Sequence, residues 1–409
     1  MHKRIVVAGG DGFCGWPAAL YLSAQGHDVT IIDNLSRRRI DQRLGIQSLT
    51  PIASPDQRLS AWYEITGRRL HFEQVDLAED FDGLRAALAE IRPDTLVHFG
   101  EQRAAPYSMK DAARKLYTVN NNIRATHNLL VALTDLALDT HLVHLGSMGV
   151  YGYSDAGIEI PEGYLNLSVQ DEGSDRREIE ILYPASPGSV YHMSKVMDQQ
   201  MFQFYAKNDR LRITDLHQGI VWGTQTEETR LDERLINRFD YDGDYGTVLN
   251  RFLMQAASGL PLTVHGTGGQ TRAFIHLQDT VFCIGLAVEN PPTAGSRVKI
   301  INQMTETHRL RDLAALVASV TGARIALVDN PRKEAAENDL RVSNRTLLDL
   351  GLRPITLAEG VLGETVDIAQ KYIHRALPEM VAALSTWTVE QRPGVVTADA
   401  LARGRQILT

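Results

Sequence analysis

At 409 residues the chain is long enough for two domains that share an interface. Its 44% apolar and 22% charged residues match an ordinary globular protein and exclude general disorder. A net charge of −8, with no basic tract to offset it, excludes a general nucleic-acid binder.

The start, Met1-His2-Lys3-Arg4, runs into Ile5-Val6-Val7-Ala8, an apolar run far shorter than a signal-peptide core and read here as a buried strand. No stretch is long and apolar enough for membrane insertion, so a cytoplasmic protein with reduced thiols is expected. The two cysteines, Cys14 and Cys283, cannot build a disulfide framework. No Cys/His cluster has metal-ligand spacing, so no metal is expected.

After Ile5–Ala8 comes a helical pattern from Trp16 to Gln25. Further apolar runs follow at Val29–Ile32, His71–Val75, Thr95–Phe99 and His141–Leu145, separated by helix-like segments. Strands at this spacing imply right-handed crossovers and a parallel sheet covered on both faces. Another strand begins around Thr214-Asp215-Leu216 and leads into Gly219–Gly223. The segment 154–187 is polar with several prolines and glycines, a long insertion that reads either as a lid or as an exposed loop. Residues 225–245 are charged and turn-rich, Val248–Ser258 reads as a helix, and a charged helical region starts near Leu310. The expected organisation is a nucleotide-binding domain over 1–222, a mainly substrate-binding domain over 223–377, and a tail over 378–409.

Gly9-Gly10-Asp11-Gly12-Phe13-Cys14-Gly15 follows the first strand and opens the first helix. Gly9, Gly12 and Gly15 suit a tight turn, close approach of a pyrophosphate, and tight helix–sheet packing. The helix N-terminus then offers amides to phosphate. Asp33, ending the second strand, can accept hydrogen bonds from ribose hydroxyls and would repel a 2′-phosphate, favouring NAD over NADP. Arg37, Arg38 and Arg39 have two readings, cofactor-phosphate contacts or a solvated turn. Asp76, after the third strand, is placed to meet the adenine.

Tyr191 and Lys195 are four apart and therefore share a helix face. An ammonium beside a phenol stabilises the phenolate and lowers the tyrosine pKa, which suits proton transfer. Ser147, after the strand His141–Leu145, can share a hydrogen bond with the same substrate oxygen or simply cap the strand.

The glycine series, Ser147 and the Tyr191/Lys195 pair resemble the extended short-chain dehydrogenase/reductase superfamily. Ser147-Met-Gly-Val-Tyr-Gly152 resembles the strand-end signature of nucleotide-sugar epimerases and dehydratases. Met148 and Gly149 replace the acidic pair of 4,6-dehydratases. Longer strings are similar to the sulfoquinovose synthase family: Asp33–Arg38, Ser48–Ser54, His98–Met109, Tyr245–Phe252, Leu262–Arg272 and Asn330–Glu334. That family commonly has threonine at Ser147, and its plant members have glutamate at Val150.

The resemblance implies a Rossmann-type doubly wound α/β fold with a smaller mixed, partly helical C-terminal substrate domain. It implies catalytic NAD, a homodimer, and conversion of UDP-glucose and sulfite to UDP-sulfoquinovose through a 4-keto-5,6-ene. Tyr191, activated by Lys195, would take the C4 hydroxyl proton. His192 is the candidate acid or base for the elimination, because histidine titrates near neutrality and adjoins Tyr191; a structural histidine is the alternative. Arg103 is expected to contact an anion, either cofactor or sulfite. Gln218 is expected at the sugar, with Thr247, Asn250, Arg251, Arg272 and Arg332 on uracil and diphosphate, and Met148 and Thr263 beside them. Phe13, Cys14, Asn34, Leu77, Phe99, Gly100, Asn122 and Val221 complete the expected cofactor set. An NAD-dependent C4-epimerase of another nucleotide sugar is the competing reading.

Overall fold

The computed structural model describes residues 2–152, 157–170, 175–332, 334–359, 362–382 and 387. Seven parallel strands form the main sheet: β1 (Arg4–Ala8), β2 (Asp28–Ile32), β3 (Leu70–Glu73), β4 (Thr95–His98), β5 (His141–Leu145), β6 (Arg212–Gln218) and β7 (Lys299–Gln303). Their order across the sheet is β7-β6-β5-β4-β1-β2-β3. β1 pairs in register with both β2 and β4, Val6 facing Thr30 on one side and Leu96 on the other. The chain reverses direction across the sheet at β1, which opens a crevice beyond the strand carboxyl ends. The fold is α/β and doubly wound.

The strands are apolar runs, not alternating ones, because helices cover both faces. Ile5, Val7, Val29, Ile31 and Val97 meet the first helix, Gly15–Ala24, and the helix Leu277–Glu289 on one face. Val6, Ala8, Leu96 and Leu142 meet the helices Phe81–Ile91 and Ala112–Asp135 on the other. The strand β7, from the second half of the chain, returns to pair with β6. The first 222 residues therefore do not complete the sheet by themselves.

The rest of the second half packs around Trp222, Phe252, Phe274, Leu313 and Val317. There Thr271–His276 pairs in parallel with Ile220–Trp222 and antiparallel with Glu306–Arg309. Leu262–His265 pairs with Ile325–Val328, a short strand inside the region expected to be helical. The polar insertion contains an antiparallel hairpin, Tyr164–Val169 against Arg177–Leu182, and the segments 153–156 and 171–174 within it lie outside the described residues. Of the expected tail, the helix Pro378–Ala382 and Trp387 are described. No helix among the described residues is long and apolar enough to cross a membrane.

Candidate active site

The glycine turn is shaped by close approach. Gly9 has φ +82°, and a Cβ there would stand 2.6 Å from the Gly100 nitrogen. A Cβ on Gly15 would collide with the Gly9 carbonyl, whereas Gly12 meets only that carbonyl, at 3.2 Å. The loop thus leaves an open cradle at the first helix, with backbone amides available to phosphate.

Asp33 accepts from the Asp11 and Leu35 amides at 2.9 and 2.6 Å. Burial, then the neighbouring Asp11 carboxylate, pushes its carboxyl up to about 6. Asn34 donates to Asp76 at 2.7 Å. Asp33, Asn34, Arg37, Asp76, Leu77, Phe99 and Gly100 line one end of the cleft, and Phe13, Cys14, Gly15, Arg103 and Lys195 line its middle. These residues fit NAD, with the ribose and adenine end at Asp33 and Asp76. Burial pushes the Cys14 thiol up to about 12, which suits a packing residue of the turn and not a nucleophile.

Of the three arginines of the 37–39 run, Arg37 lines the cofactor end of the cleft, and all three are engaged by the protein itself. Arg38 forks onto Asp11 at 2.6 and 2.7 Å and donates to the Ala53 carbonyl. Arg37 pairs with Asp41 and, at 3.0 Å, with Asp240. Arg39 bonds the Asn34 carbonyl. Arg103 also pairs with Asp240, its guanidinium near the Phe13 and Tyr245 rings. Asn122 is turned from the cleft, donating to Gln102 O and Ser194 Oγ, both at 3.0 Å.

Asp240 belongs to a segment that clasps the nucleotide loop. Trp16 donates to the Leu235 carbonyl at 2.9 Å, Arg58 to Ile236 at 3.0 Å, and Asn237 to Phe13 at 2.9 Å. The buried Arg238 forks onto Asp240 and reaches Asp41 at 2.7 Å. Burial works against the Asp240 carboxylate, but Arg238, Arg37 and Arg103 hold it well below the usual range. A charged, turn-rich segment gave no sign in sequence that its acids serve the cofactor end of the cleft.

The helix Val190–Asn208, capped by Ser189, carries Tyr191, His192 and Lys195 into the middle of the cleft. Tyr191 is part-buried in the cleft wall. Burial raises its pKa above the ordinary value, Lys195 opposes the rise, Glu101 adds to it, and a hydrogen bond with Ser147 opposes it. The expectation that Lys195 lowers the tyrosine pKa is thus correct for that one contribution, but burial outweighs it.

His192 corrects the expectation of near-neutral titration. Burial, then Arg332 and Arg272, push it down to about 3, so it stands as a neutral imidazole. Its Nδ1 lies 3.0 Å from Ser189 Oγ. A Cβ on Gly149 would fall on the His192 ring, so glycine at 149 is what admits the histidine. Val150, at the position of the plant glutamate, is buried with Met148, Tyr151, Met304 and Leu340.

Ser147, Met148, Gln218 and Val221 line the same cleft with Tyr191 and His192. Its far end is built by Thr247, Arg251, Thr263, Arg272 and Arg332. Thr247 caps the helix Val248–Ala257. Arg272 pairs with Glu334, and Arg332 lies 4.9 Å from the centre of the Trp387 ring. Asn250 is directed to the Asp240 carbonyl at 3.0 Å and braces the helix from behind. Lys333 lies outside the described residues.

Below Tyr191 is a buried polar cluster that sequence reading missed. Lys195 Nζ lies 2.8 Å from Glu101 Oε2 and donates to the Leu145 carbonyl at 2.8 Å. His144 Nε2 lies 3.1 Å from Glu101 Oε1, and His144 Nδ1 lies 2.8 Å from Asp215. His98, Glu101 and His144 bring three ligand-type atoms together, but the Lys195 ammonium already supplies the positive charge there. His144 lies within β5 and Glu101 three residues past β4; a titratable residue at those places was the available signal.

The model of the NAD dependent epimerase/dehydratase family matches residues 5–302. The chain belongs to that family. Like its family, it uses NAD. Among curated relatives, the chloroplastic UDP-sulfoquinovose synthase of Spinacia oleracea is 44% identical over 392 residues, 94% of this chain and 79% of that protein. The UDP-sulfoquinovose synthase of Sulfolobus acidocaldarius is 37% identical over 356 residues, 86% of this chain and 88% of the other. Among solved structures, Thermotoga maritima UDP-glucose 4-epimerase with UDP-glucose matches 90% of this chain and 98% of its own, at TM-score 0.66 and 20% identity. At that identity the likeness shows the fold.

Proposed function

We infer that the chain performs the UDP-sulfoquinovose synthase reaction, UDP-glucose plus sulfite giving UDP-sulfoquinovose and water. The likeness of two synthases across nearly the whole chain supports this reading. The observation that carries it is the single cleft holding Tyr191, Lys195 and Ser147 together with a neutral His192.

NAD bound on the Gly9–Gly15 turn supplies the hydride acceptor for C4 and later the donor that restores the alcohol. Tyr191 takes the C4 hydroxyl proton, with Ser147 sharing its hydrogen bond and Lys195 favouring the phenolate. The 4-ketone acidifies the C5 hydrogen. His192 takes that proton, its basicity restored in part as the diphosphate pairs with Arg272 and Arg332, and passes it to the C6 hydroxyl, which leaves as water. Sulfite adds at C6 of the enone while a proton returns to C5, so the sum is UDP-glucose and sulfite going to product and water. Arg251, Arg272 and Arg332 hold the diphosphate and uridine end with charge-assisted bonds.

The chain is also proposed to assemble as a homodimer through the helices Ala112–Asp135 and Val190–Asn208. Leu116 and Phe204 are exposed apolar residues on these two helices, 64% and 57% exposed. Sedimentation of the purified protein tests this.

The test of function is incubation with UDP-glucose and sulfite, followed by mass spectrometry. A sulfonated UDP-sugar supports the reading; UDP-galactose without any sulfonate assigns the chain to C4 epimerisation instead.

A further inference from the structure

The ammonium of Lys195 is buried at the base of the cleft. Both Lys195 and Glu101 have side chains only 4% and 3% exposed. An unpaired ammonium in such a place gives up its proton. Here burial pulls the Lys195 pKa down, but Glu101 first and Tyr191 and Asp198 after it hold it above the ordinary lysine value. Burial likewise opposes the Glu101 carboxylate, and Lys195, His144 and His98 overcome it.

The surroundings leave Glu101 as the group responsible. Asp198, on the same helix as Lys195, is fully buried 3.8 Å from His144 Nε2, and burial followed by Glu101 pushes its carboxyl well up. Asp215, on β6, is engaged by His144 at 2.8 Å and by His217 at 3.0 Å. His98, on β4, is pushed down to about 3 by burial and is neutral. His144, on β5, is raised to about 9: burial and Lys195 lower it, while Asp215 and Glu101 raise it by more. Arg103 faces Tyr191 from the other side but is committed to Asp240. Lys195 and His144, whose Nζ and Nε2 atoms lie 3.0 Å apart, thus share the Glu101 carboxylate, with Asp215 as the second anion behind His144.

We propose that Glu101 is a positioning residue for the reaction, the counter-ion that keeps Lys195 charged and fixed beneath Tyr191. Its carboxylate meets Lys195 and His144, and its own charge taken alone works against the Tyr191 phenolate. It acts through Lys195, whose charge would otherwise be lost to burial, and with it the support for the Tyr191 phenolate. The inference rests on the proposed use of Tyr191 as the base at C4.

The experiment uses the NAD-loaded full chain and three variants: Glu101→Gln, Glu101→Asp and Glu101→Gln combined with Lys195→Met. The first readout is thermal unfolding. Glu101→Gln leaves a buried ammonium unpaired, so the double variant, which removes both charges, melts higher than Glu101→Gln alone. Equal or lower melting of the double variant overturns the ion-pair assignment, and this comparison needs no turnover. The second readout is the pH dependence of kcat. In Glu101→Gln the rising limb moves to higher pH by on the order of one unit, a tenfold change in proton affinity, and activity lost at neutral pH returns in alkaline buffer. Glu101→Asp keeps the limb near its wild-type position. A Glu101→Gln limb that stays in place or moves to lower pH overturns the proposal. If Glu101→Gln does not fold, the wild-type position of the limb in Glu101→Asp decides: a shift there as large as one unit contradicts a role that needs only the charge. Failure of the wild type to turn over UDP-glucose would instead count against the proposed reaction.

Discussion

The imidazole of His192 stands in the space that a Cβ on Gly149 would occupy. The absence of an acidic pair after Ser147 and the presence of a histidine after Tyr191 are therefore one arrangement. Glycine at 149 opens the room that His192 fills. Gly149→Ala should push the ring out and lower kcat for sulfonate formation about tenfold or more, with His192→Asn lower by about a hundredfold. In both, reduced nicotinamide should still form with UDP-glucose alone, because C4 oxidation belongs to Tyr191. Absorbance of the reduced cofactor, followed beside product mass, separates the two steps; loss of both steps in Gly149→Ala would contradict the assignment.

Tyr191→Phe should remove the C4 step itself. The variant keeps the ring's packing and loses the hydroxyl, so turnover should fall about a thousandfold while NAD stays bound. Cofactor content of the purified variant and its rate with UDP-glucose check the two halves of this statement.

Asp240 joins Arg238, Arg37 and Arg103 at the cofactor end of the cleft. Removing this anion takes the ion-pair partner from Arg103 and leaves Arg37 and Arg238 to share Asp41. Asp240→Ala should cost about 3–5 kcal/mol of stability and weaken NAD retention. Denaturant unfolding with and without added NAD measures both.

Acid should destabilise the fold in a defined window. Burial pushes His98, His141 and His192 down to about 3 each. Their folded values lie below the ordinary one near 6.5, so their contribution is present above that pH and is lost as pH falls toward 3. Between roughly pH 6.5 and 4.5 the unfolded chain binds more protons, and stability should drop by up to about 1.4 kcal/mol per pH unit for each group. Denaturation midpoints across that range test the slope; a flat profile contradicts the neutral state of these rings.

The main sheet was legible because its buried parallel strands are short apolar runs, so β1, β2, β4 and β5 were marked to within a residue. The strand β7 was not, since Lys299–Gln303 is separated from its partner by the whole stretch from Gly219 to Val298. Site residues on strand ends and the Tyr191 helix were readable from spacing. Those that act through long-range pairing were not: Arg38 and Asn122 look like ligand contacts in sequence but brace Asp11 and Ser194. Glu101, His144 and Asp240 draw their meaning from partners 43 to 203 positions distant, which no local pattern records.

The most direct test is a reaction with UDP-glucose deuterated at C4, sulfite and enzyme carrying its NAD. The account predicts a sulfonated UDP-sugar in which deuterium has returned to C4, since the same bound cofactor takes and restores it. A deuterated UDP-galactose with no sulfonate, or a sulfonated product whose C4 label has been lost to solvent or added cofactor, would contradict it.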